Sequence, residues 1–269
     1  MNRPSWWRWW RALPQNPIYL RERGSWGKPN PFYDNLSRFS PFVIMGAIIF
    51  GLCAGAGNPM LYSGAEEVIL FWCLLCLPGA LLTMLTIFGS LMAPALTAPS
   101  ISMEIDRGTW DILRMTPQST PSILLAKLFG ALARLRIWPA LFALSLLQGV
   151  MLACLMSVFG GETAVWGVLV GVATTLRPWL EVLFAAFAGM YISTWARSAT
   201  TALAGSYSGV VAFKIFNSSG LWLGVLGLLG VSETALLLGG TAGPTAVYAL
   251  ATAALWIGLV HRGRKLSYS

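Results

Sequence analysis

Long apolar segments alternate along the chain with short segments rich in polar and charged residues. A helix needs about 20 apolar residues to cross a lipid bilayer, and several segments reach that length. Six are predicted to cross the membrane, at about 41–61, 68–98, 137–159, 177–195, 200–216 and 244–260. The pattern therefore predicts an all-α, polytopic integral membrane protein with about six transmembrane helices.

The fourth predicted span carries an arginine and a glutamate. Arg177 lies 20 residues before Arg197, a separation of about 30 Å in a helix, which is one hydrocarbon thickness. If Arg197 marks the inner interface, Arg177 marks the outer one. Glu181 follows one helical turn later and is predicted to form an intramembrane ion pair with Arg177 just below the surface. Residues 163–176 would then form an outer extension or a separate interfacial piece.

Two further features lie near the end of the chain. Lys214 falls within the fifth predicted span, where its long side chain is expected to snorkel outward. Residues 221–231 are apolar, but this segment is too short to cross a bilayer. We therefore predict that residues 221–231 form an outer re-entrant or interfacial segment.

The distribution of charge orients the predicted spans. With both termini in the cytoplasm, nearly all of the 18 Lys and Arg residues fall in inner segments, as the positive-inside tendency requires. The net charge of +8 is therefore interpreted as a topology signal, with membrane lipid and not nucleic acid as the partner. Only 10% of the residues are charged, which fits a chain solvated largely by lipid. The sequence predicts a multi-pass protein of the plasma (inner) membrane.

Residues 1–38 differ from the transmembrane domain predicted at 39–269. They are basic and contain a Trp-rich stretch in which Trp6, Trp9 and Trp10 would share one helical face. Such a segment is typical of an amphipathic interfacial helix. We expect it to lie on the cytoplasmic face of the membrane.

The residue types argue against enzyme chemistry. His261 is the only histidine, which excludes a multi-His metal site and most His-based acid–base catalysis within the chain. Cys73 and Cys76 have a redox or metal-binding spacing, but they lie in an apolar span without further ligands and are interpreted as small buried hydrophobes. The chain also has no Gly-x4-Gly-Lys-Ser/Thr phosphate-binding motif. We expect no cofactor, no metal and no catalytic residue.

The polar segment after the second predicted span has a regular charge pattern. Charged residues of alternating sign recur at helical spacing: Glu104, Arg107, Asp111 and Arg114. Apolar residues fall on the other side of the same helix: Ile105, Ile112 and Leu113. Gly108 permits a bend and Pro117 ends the helix. The pattern predicts a short amphipathic helix beneath the membrane, outside the lipid; on these residues alone it could also be a solvated connector.

The same segment resembles the loop between the second and third spans of permease subunits in the type-2 ATP-binding-cassette (ABC) exporter family. The shared pattern is Glu-x3-Gly-Thr-x3-Leu-x2-Thr-Pro, followed about ten residues later by a lysine, at Glu104, Gly108, Thr109, Leu113, Thr116, Pro117 and Lys127. Residues 16–23 are similar to the amphipathic elbow helix that precedes the first span in that family. Residues 192–198 are similar to its junction between the fourth and fifth spans.

The resemblance implies a non-enzymatic permease subunit that forms a translocation pathway with a second permease subunit, as a homo- or heterodimer. ATP hydrolysis would belong to a separate cytoplasmic ATPase subunit docked beneath. The residues expected to couple the two are Glu104, Arg107, Gly108, Thr109, Asp111, Leu113, Thr116, Pro117 and Lys127. The alternative is an accessory or structural membrane subunit of a larger assembly, without transport activity.

Overall fold

A computed structural model describes residues 11–24, 66–158, 163–196 and 198–265. All of the regular structure in these ranges is helical. Five segments within them are long and apolar enough to cross a membrane, which confirms an all-α polytopic membrane protein. The predicted first span at 41–61 and the Trp-rich start of the chain lie outside the described residues.

The helices follow one another with short connections. A single 3₁₀ turn at Leu13–Gln15 precedes the first of them. The helices are α1 (Pro17–Arg23), α2 (Glu66–Thr97), α3 (Pro99–Asp106), α4 (Trp110–Arg114), α5 (Thr120–Leu132), α6 (Trp138–Val158), α7 (Thr163–Ser193), α8 (Ala199–Phe216), α9 (Ser219–Leu228) and α10 (Glu233–Lys265).

The observed helices test the predicted span boundaries. The bounds of α6 and α8 agree closely with the predicted third and fifth spans. Residues 163–176 are continuous with the rest of α7, so they do not form a separate piece. The predicted start of the last span at Pro244 is wrong, because α10 begins at Glu233 and contains this proline. Proline is tolerated inside membrane helices, although its missing N–H leaves the carbonyl four residues earlier, at Gly240, without its usual helical donor. The Pro244 carbonyl itself accepts a hydrogen bond from Asn217 Nδ2 at 2.9 Å, which ties the end of α8 to α10.

Helix α7 lies at the centre of the bundle. It packs against α2, α6, α8 and α10, and small buried residues on its second half let these neighbours approach. The closest approach is where α6 crosses α7: a Cβ atom added to Gly149 would lie 2.6 Å from the carbonyl oxygen of Gly171. Glycine is therefore required at this crossing, as in other close contacts between membrane helices.

The predicted short apolar segment near 221–231 forms the ten-residue helix α9. α9 packs against the first part of α10, with Trp222 beside Gly243 and Leu226 beside Gly239, so the two run antiparallel. Trp222 Nε1 also donates to Asn217 Oδ1 at 3.0 Å, in the junction between α8 and α9. The apolar segment is thus half of a helical hairpin. Its position relative to the membrane stays a prediction.

Helix α5 was not anticipated as a separate element. Most of its 13 residues are apolar and most are buried, Lys127 included. α1 packs along it, and Gly263 near the end of α10 lies against Leu124. The elbow segment and the last described residues of the chain are therefore at the same end of the bundle.

Candidate functional site

The predicted loop helix is divided by a tight turn. α3 ends at Asp106, α4 begins at Trp110, and between them Gly108 has φ +65°, in the left-handed region that favours glycine. The Thr109 backbone N–H donates to the Glu104 carbonyl at 2.9 Å and closes the turn. The prediction of a single helical stripe of charge from Glu104 to Arg114 is therefore wrong. The two ends of that stripe belong to different helices.

Glu104 and Lys127 form a buried ion pair. Lys127 Nζ lies 2.8 Å from Glu104 Oε1, and the two side chains are only 1% and 6% exposed. Lys127 Nζ also donates to Glu22 Oε1 at 3.0 Å and to the Ser100 carbonyl at 3.2 Å. Glu104 therefore does not belong to an exposed face, because the fold uses this carboxylate to neutralise a buried lysine; its role in coupling stays a prediction.

The elbow segment forms a capped helix that completes this arrangement. The Asn16 side chain accepts a hydrogen bond from the Ile18 N–H at the start of α1, and Gly24 ends the helix with φ +83°. Ile18 packs into a small apolar core with Ile123 and Ala126 of α5. Arg21 on the same helix lies 3.7 Å from Glu104 Oε1. We call Arg21, Glu22, Glu104 and Lys127 the loop network; it joins α1, α3 and α5.

Helix α4 and the turn before it carry an exposed surface next to the loop network. Trp110 is buried and Leu113 packs against the core, and together they anchor α4. Asp111 and Arg107 are exposed, and so are Ile112 (65%) and Met115 (85%). Ile105 on α3 is exposed as well. We call Arg107, Asp111, Ile112 and Met115 the exposed loop surface.

The remaining motif residues support this surface. Thr109 is half-buried at the turn, whereas Thr116 and Pro117 are exposed after α4. Thr116 Oγ1 donates to the Leu113 carbonyl at 2.5 Å, which holds the chain as it leaves α4. Gln118 then exchanges hydrogen bonds with Asn16 at 3.3 and 3.5 Å. The motif thus combines buried residues, which fix the shape of the loop, with exposed residues on its surface.

A family model described as "ABC-2 family transporter protein" matches residues 29–255, which is most of the chain. The chain belongs to the ABC-2 transporter family. No curated protein and no solved structure shows a significant match. The family resemblance carried by the loop motif is confirmed, and the role of membrane transport component follows from it.

A second charged group lies within the bundle of this ABC-2 family member. Arg177 Nε and Glu181 Oε1 are 3.0 Å apart, one helical turn along α7. Lys214 Nζ lies 2.7 Å from Glu181 Oε2, so the expectation that Lys214 snorkels freely outward is wrong. Arg177 Nη1 also donates to Ser219 Oγ at the start of α9. We call Arg177, Glu181 and Lys214 the span cluster.

Two hydrogen bonds to Ser145 show which part of α6 lies beside the span cluster. Thr175 Oγ1 donates to the Ser145 carbonyl at 3.3 Å, and Trp179 Nε1 donates to Ser145 Oγ at 3.2 Å. Ser145 is about 10 Å from the start of α6 and about 20 Å from its end, at 1.5 Å per residue. A helix of 21 residues needs nearly its full length to cross a bilayer. Lys214, however, lies in the last turn of α8, two residues before that helix ends, so the position of the span cluster near the outer interface stays a prediction.

The outward-facing side chains around the span cluster form an apolar surface. Exposed side chains near the span cluster on α6, α7 and α8 are apolar, namely Phe142, Leu146, Leu176, Val211 and Ile215. Such a surface is what lipid chains contact. The sequence pattern paired Arg177 with Glu181 and placed Lys214 in the fifth span, but it did not predict the contact between Lys214 and Glu181. Only the packing of α8 against α7 brings Lys214 to Glu181.

Proposed function

We propose that the chain is the membrane-spanning permease subunit of an ABC exporter. In this proposal it forms a translocation pathway with a second permease subunit and couples to a separate cytoplasmic ATPase subunit. The observation that carries the proposal is the exposed loop surface on a member of the ABC-2 transporter family. Both termini and the loop would face the cytoplasm of a plasma (inner) membrane protein, in keeping with the basic residues near them.

The exposed loop surface has the composition of a protein-binding site. Ile112 and Met115 are among the most exposed large apolar side chains of the described residues, although α4 lies in the most polar part of the loop. Arg107 and Asp111 flank them. Apolar contacts surrounded by charged residues are typical of protein interfaces, and methionine adapts its shape to a partner. The proposed ATPase contact is therefore apolar at its centre and charged at its edge.

The loop network gives this surface a rigid connection to the spans. Lys127 holds α3 against α1 and α5, and only Ala98 separates α3 from α2. The Ser102 backbone N–H donates to Ser193 Oγ at 2.8 Å, at the end of α7. Movement imposed on α4 by a closing ATPase would thus be transmitted to α2 and α7 together.

The test uses affinity-tagged full-length chain purified from its native membranes in mild detergent. We expect an ATPase activity to copurify with the wild-type chain. Met115→Asp should reduce that activity at least about tenfold, because a charge would enter an apolar contact. Met115→Leu is the matched control and should retain it. Since Met115 is 85% exposed, neither change should lower the thermal stability of the chain.

Two results would contradict the proposal. Copurification of a large membrane assembly that has no ATPase activity would favour the alternative of an accessory or structural subunit. Equal ATPase recovery with Met115→Asp and Met115→Leu would show that the exposed loop surface is not the contact. Measuring the copurified activity per mole of tagged chain separates these results from a loss of expression.

A further inference from the structure

A half-open cavity of about 400 Å³, lined by polar, charged and apolar residues, lies beside the span cluster. This volume has room for about ten water molecules or for one polar headgroup. Its walls come from α2, α6, α7, α8 and α9, and hydroxyl and amide side chains line it together with the three charged residues. The polar lining consists of Thr83, Thr86, Gln148, Thr174 and Ser219.

The charges around the cavity do not balance. Arg177 and Lys214 are cations, and Glu181 is the one acid among the lining residues that the structure describes. Each oxygen of Glu181 is already engaged, one by Arg177 and the other by Lys214. Partly buried cations that outnumber their acid are stabilised by a further counter-charge. The cavity is therefore suited to an anionic group.

Gln148 provides a second, independent indication of a ligand. Its side chain is more than nine-tenths buried and lines the cavity. Its Oε1 atom has no hydrogen-bond partner among the described residues. Buried polar atoms are usually paired, and this unpaired oxygen belongs to a side chain that lines the cavity, which indicates a missing partner. A hydroxyl group on the ligand would satisfy this oxygen while the anionic group contacts the two cations.

The position of Lys214 indicates how the ligand enters. Its side chain is 34% exposed, and the neighbouring outward residues on α8, Val211 and Ile215, are exposed and apolar. The cation is thus reached from a surface of the kind that lipid chains cover. An amphiphile can place its headgroup in the cavity and its hydrocarbon chain along α8. A hydrophilic ion would have to cross the same apolar surface without any favourable contact.

We propose that this cavity binds the anionic, hydroxyl-bearing headgroup of an amphiphile that enters from the lipid. Binding of this kind does not require the proposed ATPase partner. It is therefore measured on the full-length chain alone, purified in a neutral maltoside detergent. A failure here leaves the exporter proposal standing, and a failure of ATPase copurification leaves this one standing.

The probe is dioctanoyl phosphatidylglycerol, titrated against intrinsic tryptophan fluorescence, with dioctanoyl phosphatidylcholine as its zwitterionic counterpart. We expect the phosphatidylglycerol to bind at least about tenfold more tightly, since it offers an uncompensated phosphate and two hydroxyls. Inorganic phosphate should not displace it at millimolar concentration. Equal affinity for the two lipids would overturn the proposal, and so would displacement by inorganic phosphate, which would assign the cavity to a soluble anion.

Substitutions within the cavity separate binding from a structural role. Lys214→Gln should weaken phosphatidylglycerol binding about tenfold, and Gln148→Leu should weaken it as well. Glu181→Gln should strengthen binding, because it removes the anion that competes for both cations. A merely structural cluster predicts lower thermal stability for Lys214→Gln and Glu181→Gln, with lipid preference unchanged in both. That result would overturn the proposal.

Arg136→Gln is the control for general electrostatic attraction. Arg136 is exposed and lies outside the cavity, in the connection between α5 and α6. The substitution removes the same single positive charge as Lys214→Gln and should leave the lipid preference intact. An equal loss in both variants would show that net charge, and not the cavity, selects the lipid.

Discussion

The loop network and the span cluster are both built from Lys, Arg and Glu, yet they have opposite designs. The loop network pairs two acids with two bases, and its central Lys127 is almost completely buried. The span cluster has two bases for one acid, and its Lys214 is partly exposed beside a cavity. A balanced, closed network can only hold helices together. An unbalanced, open one can also accept a ligand.

The largest effect is expected from Lys127→Met in the loop network. The substitution keeps much of the side-chain volume but leaves Glu104 and Glu22 without their shared cation. Removing one partner of a buried ion pair costs about 3–5 kcal/mol of unfolding free energy. Unfolding of the purified chain in mixed micelles of increasing dodecyl sulfate content measures it.

A double variant tests the cause of that loss. Lys127→Met combined with Glu104→Leu removes both members of the closest pair and should recover a large part of the stability, because no uncompensated carboxylate then stays buried in α3. A stability of Lys127→Met within 1 kcal/mol of the wild type, on the scale of exposed pairs, would contradict the assignment of the loop network as the element that fixes α1, α3 and α5.

The second effect concerns the Gly108 turn next to the loop network. Gly108 has φ +65°, and an added Cβ would have no neighbouring atom within 4 Å. A substitution there would strain the backbone without a steric clash of the new side chain. Gly108→Val should therefore cost about 1–3 kcal/mol through backbone strain. Gly108→Asn should cost less, because asparagine tolerates the left-handed region. Equal unfolding free energies for the two variants would show that the turn is not strained.

The sequence pattern predicted the helices well and the loop poorly, for identifiable reasons. An apolar segment of membrane length must form a helix in lipid, since its backbone groups have no water to bond. The predicted bounds of α6 and α8 therefore agree closely with the observed ones. Helical spacing alone could not show that Gly108 adopts a positive φ and divides the predicted stripe. Nor could it show that Glu104 meets a lysine 23 residues later in the sequence.

Contacts between side chains on different helices were the other feature that the sequence could not predict. The i,i+4 rule identified Arg177 and Glu181 as possible partners within one helix, but no local rule brings Lys214 of α8 to the same carboxylate. The last span was predicted to begin at Pro244, and proline does often occupy the first turn of a helix. In the structure α10 continues through Pro244, and the Pro244 carbonyl accepts a hydrogen bond from Asn217 of the preceding helix junction.

The third prediction contrasts the two lysines directly. Lys214→Gln should lower the unfolding free energy by no more than about 1 kcal/mol, because the side chain is 34% exposed and glutamine can still donate a hydrogen bond to Glu181. The same dodecyl sulfate titration measures it beside Lys127→Met. Equal losses for the two lysines would remove the distinction between a closed network and an open one.

The smallest effect is expected from Arg21→Gln at the edge of the loop network. Arg21 lies 3.7 Å from Glu104 Oε1, and its side chain is 55% exposed. At that distance and exposure, screening by water limits the contribution to about 0–0.5 kcal/mol. The closer and buried Lys127 should then supply nearly all of the compensation for Glu104.

Arg21→Gln in the Lys127→Met background gives a sharper measurement, since Arg21 is then the nearest cation to that carboxylate among the described ion pairs. A larger loss there than in the wild-type chain would show that Arg21 acts as a reserve partner; a loss of about 3 kcal/mol in the wild-type chain itself, the size expected of a buried pair, would show that the network depends on its exposed edge.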